Sequence, residues 1–138
     1  MVFTSYCYFS SNDSWFREDS KIESLLQHEQ LHFDVSEVCC RLLKQKLLNF
    51  HFTKKYRSEI NHIYTMGYSD LFGWQHDYDE ESEHSINRKG QKHWEEYIAK
   101  TLKELEAFAP ETLTVKTNVP MTQAELSVNK VVFEAPDE

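Results

Sequence analysis

The stretch Ser20-Lys-Ile-Glu23-Ser-Leu-Leu-Gln-His28-Glu29-Gln-Leu-His32-Phe-Asp34-Val-Ser-Glu-Val-Cys-Cys40 decides how the rest of the chain is read. Ser20 and Glu23 form a capping box: the serine oxygen accepts from the N3 amide and the glutamate reaches back to the cap, so a helix starts here. An apolar stripe of Leu25, Val35, Cys39, Leu43 and Phe50 carries it to about Phe50. At about 100° per residue, His28 and His32 fall inside that stripe and point toward other elements. Two imidazoles four positions apart differ by about 40° around the axis and about 6 Å along it, so both reach one ion. With Glu29 they spell H-E-x-x-H: half of a tetrahedral zinc site, and a carboxylate suited to take a proton from water.

Upstream, the β-branched and aromatic run from Val2 to Phe9 reads as a strand, and Ser10 to Asp13 as a turn. Downstream, Tyr56, Ile60, Ile63, Tyr64 and Leu71 at helical spacing predict a second helix from Thr53 to about Phe72, its end weakened by Gly67 and Gly73. The polar, acidic stretch from Trp74 to Glu83 reads as a loop. A third helix is expected from about Ser85 to Phe108, with Ile86, Trp94, Tyr97, Ile98, Leu102, Leu105 and Phe108 on its buried face and Pro110 as its stop. Beyond it, Thr112 to Val119 and Val128 to Phe133 are extended segments separated by Pro120, and two arrangements are open to them: pairing with the N-terminal strand, or a loose tail. The expected organisation is one domain over residues 1–110 followed by an extended segment over 111–138.

Composition limits the function classes. A chain of 138 residues fits one core, and 40% hydrophobic with 14% aromatic residues indicates a folded globule. A net charge of −8 opposes nucleic-acid binding, since no basic cluster exceeds Lys54-Lys55-Tyr56-Arg57. No apolar run approaches the roughly 20 residues that span a bilayer, so no membrane insertion is expected. The opening residues lack the basic start and apolar stretch of a signal peptide. Three cysteines, two of them adjacent at Cys39 and Cys40 and none in a C-x-x-C pair, exclude a disulfide scaffold and a cysteine zinc knot.

A zinc hydrolase needs a third ligand. The metzincin continuation would require glycine at Val35 and histidine at Val38, and is excluded. Glu59 is the gluzincin-like candidate from the following helix, while Asp79 and His84 lie in the ligand-rich run Tyr78-Asp-Glu-Glu-Ser-Glu-His84. Spacing alone leaves all three open. His51, His62, His76 and His93 carry no readable signal.

The run His28-Glu-Gln-Leu-His-Phe-Asp34, preceded by Ser14-Trp15 and followed by Glu37, resembles the HEQxHFDxxE segment of a bacterial family of unknown function described as predicted secreted zinc-dependent proteases. Tyr78 to Ser85, followed by Gln91 and Trp94, is similar to that family's second signature, YDxxTxH with a later Gln and Trp, with Ser82 in place of threonine. The resemblance covers roughly residues 14–108. It implies zinc on His28, His32 and His84, Glu29 as general base, a peptide or protein substrate, and a secreted or periplasmic location, although no signal peptide is read here. Asp34, and Asp79 where it is not itself a ligand, are carboxylates able to accept a ring N–H and fix a ligand tautomer. Tyr78 is placed to donate to a developing oxyanion.

Two rival readings stand beside this one. Glu29-x-x-His32 and Glu81-x-x-His84 are both E-x-x-H, the motif that a di-iron carboxylate bundle takes from two of its helices, with Glu59 and Glu95 or Glu104 as further ligands. The other is a catalytically inactive helical interaction domain that retains a metal site. The expected fold is mainly α with a small β element, zincin-like, with three long helices and H-E-x-x-H on the first. The expected function is that of a zinc metallopeptidase.

Overall fold

The structure, a computed structural model, describes residues 2–8, 22–110, 112–114 and 130–134, with side chains described over 23–110. The capping serine Ser20, the turn at 10–13, Ser14-Trp15 and the extended run beyond Thr114 to Val119 lie outside the described residues. In chain order the elements are β1 (Val2–Tyr8), α1 (Ile22–Asn49), α2 (Tyr56–Ser82), α3 (Arg88–Glu104), a 3-10 turn (Glu106–Phe108), β2 (Thr112–Thr114) and β3 (Lys130–Glu134). The molecule is therefore mainly helical, with three long helices and one small sheet.

The sheet has the order β2-β1-β3. β1 runs antiparallel to β2, with Phe3 opposite Leu113, and parallel to β3, with Tyr6 opposite Val132. Helix α1 contacts all three strands and both other helices, which makes it the central element. At 28 residues it is about 42 Å long. Its buried positions recur at three- and four-residue spacing through His28, Leu31, His32, Val35, Val38, Cys39, Leu43 and Leu47. The two histidines do point inward, while Phe50, just past the helix end, is 39% exposed rather than part of the stripe.

Two apolar clusters divide the helical layer. Cys39, Cys40, Leu43 and Leu47 of α1 meet Ile63 and Leu71 of α2. Leu31, Val35 and Val38 meet Tyr78 of α2 and Trp94, Ile98 and Leu105 from the α3 region. Trp74 packs against both clusters and joins them. Basic side chains of α1 tie down the far end of α3: Arg41 Nη1 donates to the Leu102 carbonyl at 2.7 Å, and the buried Lys44 Nζ donates to the carbonyls of Phe108 at 3.2 Å and Pro110 at 2.7 Å. The Leu102 and Phe108 carbonyls are of the kind that a helix end leaves without intrahelical partners, and Pro110 lies just past the 3-10 turn.

Two boundaries differ from the sequence reading. Helix α2 does not stop near Phe72 but runs on through the acidic stretch to Ser82. Its buried positions continue at helical spacing as Leu71, Gln75, Tyr78 and Ser82, so packing against α1 and α3 holds the segment helical although the face is polar. Gly73 sits on the exposed side with nothing within 4 Å of an added Cβ, and it costs only its intrinsic propensity, about 1 kcal/mol. Helix α3 starts at Arg88 rather than Ser85 because Glu83, His84 and Ser85 all take positive φ (48°, 52° and 79°), a conformation a right-handed helix cannot include. Asn87 closes this turn from both sides, accepting from Gly90 N at 3.1 Å and donating through Nδ2 to the Glu81 carbonyl at 3.3 Å.

Candidate metal centre

Three donor atoms converge where α1 meets the last turns of α2. His28 Nε2 lies 2.9 Å and His32 Nε2 2.7 Å from the same oxygen, Oδ1 of Asp79. One ligand atom from each of the three residues lies within 4.8 Å of the other two, and among the described residues this is the one such cluster. Both histidines are buried and Asp79 is half-buried, its side chain 23% exposed. The rings pack edge to face at 4.8 Å, with Tyr78 stacked on His28 at 4.6 Å.

The opposite ring nitrogens settle what these atoms are. His28 Nδ1 is 3.0 Å from Gln91 Oε1, and His32 Nδ1 faces Gln75 Oε1. Which end of each amide is which follows from its other contacts. Gln75 Nε2 lies 2.9 Å from the His32 carbonyl, which only accepts, so the oxygen must be the atom turned to the ring. Gln91 Nε2 lies 3.2 Å from Glu95 Oε1, again an acceptor. Both Nδ1 atoms therefore donate, and in neutral imidazoles both Nε2 atoms carry bare lone pairs aimed at a carboxylate oxygen. Three electron-pair donors facing one another require either extra protons or a cation between them. Two imidazoles and a carboxylate, with a water in the remaining position, are the ligand set of one class of catalytic zinc site, and their net charge of −1 suits a divalent ion. In the first of these cases, with protons on the two Nε2 atoms and no ion, burial acts to raise the Asp79 carboxyl, but hydrogen bonds from His28 and His32 and the charge of the protonated rings outweigh it and hold the group well below the usual carboxylate range.

The sequence-predicted residues are distributed as follows. Glu29 is half-buried next to His28, and its carboxylate is near enough to act electrostatically on the Tyr78 phenol. His84 stands on the left-handed turn, largely exposed, with Nδ1 3.6 Å from Asp79 Oδ1 and its ring 6.3 Å from that of His28. It borders the trio without being held in it. Asp79 is in direct contact with both rings at their Nε2 atoms, which is a ligand's place rather than that of a carboxylate fixing the far nitrogen. Glutamines do that work instead. Asp34 accepts from Gln30 at 3.3 Å, and its carboxyl is raised, chiefly by burial. Tyr78 is fully buried, with its hydroxyl 3.0 Å from both the His28 carbonyl and Gln91 Oε1. A hydroxyl so enclosed braces the first turn of the motif, with its proton directed at protein acceptors. Glu59 accepts from the Thr53 amide at 2.9 Å at the opposite end of α2, 20 residues and about 30 Å from Asp79.

The di-iron arrangement does not assemble. Glu81 accepts from Trp94 Nε1 at 2.6 Å, Glu95 bonds Gln91, and no pair of bridging carboxylates meets the histidines among the described residues. Gln75 escaped the sequence reading entirely, and Gln91 entered it only through the family signature. Their signal was positional: Gln75 continues the Leu71 stripe one turn on, and Gln91 precedes Trp94 and Ile98 on the buried face of α3. No helix among the described residues is long and apolar enough to cross a membrane. Compared with protein-family models, with curated proteins and with solved structures, the chain matches none.

Proposed function

We propose that the protein is a zinc-dependent metallohydrolase, acting on peptide bonds, with the ion held by His28, His32 and Asp79. The observation that carries this reading is the convergence of two Nε2 atoms on one carboxylate oxygen at 2.9 and 2.7 Å, with each Nδ1 already engaged by a glutamine oxygen. Ligands around a tetrahedral zinc at about 2.0–2.1 Å stand roughly 3.4 Å apart, so Asp79 Oδ1 would have to move back from each ring by about half an ångström to share an ion with them. When bound, such an ion supplies Lewis acidity that polarises a carbonyl and makes a water more acidic. Glu29, one residue from His28, takes the water's proton on its carboxylate and returns it to the departing amine nitrogen. His84, exposed and 3.6 Å from the Asp79 oxygen, borders the same site and is the chain's further candidate for approaching the ion or the substrate.

The test is zinc stoichiometry together with hydrolysis of a quenched-fluorescence peptide library. One zinc per chain is expected in the wild type and in Glu29→Gln, none in His28→Ala, and hydrolysis in the wild type alone. Undiminished zinc in His28→Ala, or undiminished hydrolysis in Glu29→Gln, overturns the assignment.

A further inference from the structure

The two glutamines that face the metal-binding histidines are not held alike. Gln75 is locked by the backbone: its Nε2 donates to the His32 carbonyl and to Ser36 Oγ, both at 2.9 Å, and Ser36 itself donates back to that carbonyl at 3.2 Å. A flipped Gln75 would set its oxygen against a carbonyl that no side-chain change can remove. Gln91 has no such anchor. Its Oε1 faces His28 Nδ1 and the Tyr78 hydroxyl, each at 3.0 Å, and its Nε2 meets Glu95 Oε1 at 3.2 Å.

Rotating the Gln91 amide by half a turn would leave the inner contacts satisfied. The amide NH2 would donate to a bare His28 Nδ1 and to the Tyr78 oxygen, while the Tyr78 hydroxyl proton would go to the His28 carbonyl, already 3.0 Å away. The His28 proton would then move to Nε2 and lie against Asp79, an attractive arrangement without any ion. Only the outer contact forbids this, because the flipped amide oxygen would face the Glu95 carboxylate.

We infer that Glu95 is a positioning residue: by fixing which end of Gln91 faces inward, it keeps the proton of His28 on Nδ1 and leaves Nε2 open for a divalent cation. The effect on ion binding rests on the metal-centre reading above, whereas the effect on the proton does not. Glu95 lies two contacts from His28 and three from the ion's position, and it is one turn from Gln91 on α3, so the outer step of the relay runs along a single helix face. Outer partners of this kind are commonly worth about 10- to 100-fold in metal affinity.

The experiment compares the wild type with Glu95→Leu and with the exchanged pair Gln91→Glu/Glu95→Gln. In the exchanged protein a carboxylate, which can only accept, faces His28, and the relay no longer needs residue 95 to orient it. Two readouts are taken on proteins shown to be folded by circular dichroism: Zn2+ affinity by competition with a chromophoric chelator, and the protonation of His28 Nδ1 in the metal-free protein by long-range 1H–15N correlation. Expected are a proton on Nδ1 in the wild type and the exchanged pair, a bare Nδ1 in Glu95→Leu, and Zn2+ binding about 10- to 100-fold weaker in Glu95→Leu alone. Retention of the Nδ1 proton and full affinity in Glu95→Leu overturns the proposal, as does failure of the folded exchanged pair to recover both. If the wild type itself took up no Zn2+, the hydrolase reading would fall, and the nitrogen spectra would still decide the relay.

Discussion

Replacing Gly90 by alanine tests how the site is positioned, because packing and propensity predict opposite signs. Gly90 is in the first turn of α3, and in an ordinary helix Gly→Ala stabilises by about 0.5–1 kcal/mol. Here a Cβ would overlap the Glu81 carbonyl oxygen, lie 2.9 Å from that carbonyl carbon and 3.3 Å from Ser82 Cα. An ordinary carbon–oxygen contact is about 3.3 Å, so relieving the overlap with the Glu81 oxygen would require α3 to retreat from α2 by more than about 1 Å. All three atoms are helix backbone, which cannot rotate away as a side chain would. Forcing an extra methyl into a tight contact typically costs about 1–3 kcal/mol, and overlap with an immovable backbone oxygen belongs at the upper end, so subtracting the propensity gain leaves a net loss of about 2 kcal/mol. For a chain of this size that is a fall in Tm of roughly 4–8 °C. Thermal and urea unfolding of the metal-free protein measure it. A Gly90→Ala variant as stable as the wild type or more so would refute the close approach of α3 to α2, and with it the placement of Gln91 beside His28.

Two further expectations concern groups whose titration or burial the structure perturbs. The Asp79 carboxyl sits below its unfolded value in the metal-free protein, so its stabilising contribution is present above about pH 4 and is lost as pH falls through the depressed value. Urea denaturation of wild type and Asp79→Asn should therefore show a stability gap at pH 6 that narrows as pH is lowered below 4; a constant gap contradicts the ion-pair geometry. Tyr64 carries a buried hydroxyl with no hydrogen-bond partner among the described residues, and burial, ahead of the nearby Cys40 and Tyr68, raises its phenol. Tyr64→Phe removes that desolvated oxygen and should leave stability unchanged or higher by about 1 kcal/mol; a loss above about 1 kcal/mol would show a bond the structure does not contain.

The parts of the fold legible in the sequence were those where burial is apolar. Helix α1 followed from its stripe, and its histidines were placed inward because they interrupt that stripe at helical spacing. The second half of α2 was missed for the complementary reason. Its buried positions are Gln75, Tyr78 and Ser82, and an acidic run with a polar inner face mimics a loop to any reading that follows hydrophobicity. That error carried over to the site. With 74–83 read as a loop, Asp79 and His84 were equivalent candidates; as a helix followed by a left-handed turn, the segment sets Asp79 against both rings and puts His84 outside them. Glu59 was ruled out by distance along one helix, something spacing in sequence cannot express until the helix is known to be unbroken. The glutamines were invisible because their part depends on which amide end faces inward, and that is fixed only by third residues such as Glu95.

The contacts that orient the two imidazoles join residues 43 and 63 positions apart. Helix α1 in isolation would present its pair of rings with neither glutamine to orient them, so the arrangement suited to an ion forms only once the later helices have docked and these distant contacts have closed. Zinc uptake by this chain would thus act as a check on completed topology. An intermediate with α1 formed and α3 still undocked would lack the Gln91 contact that orients His28 and would compete poorly for such an ion.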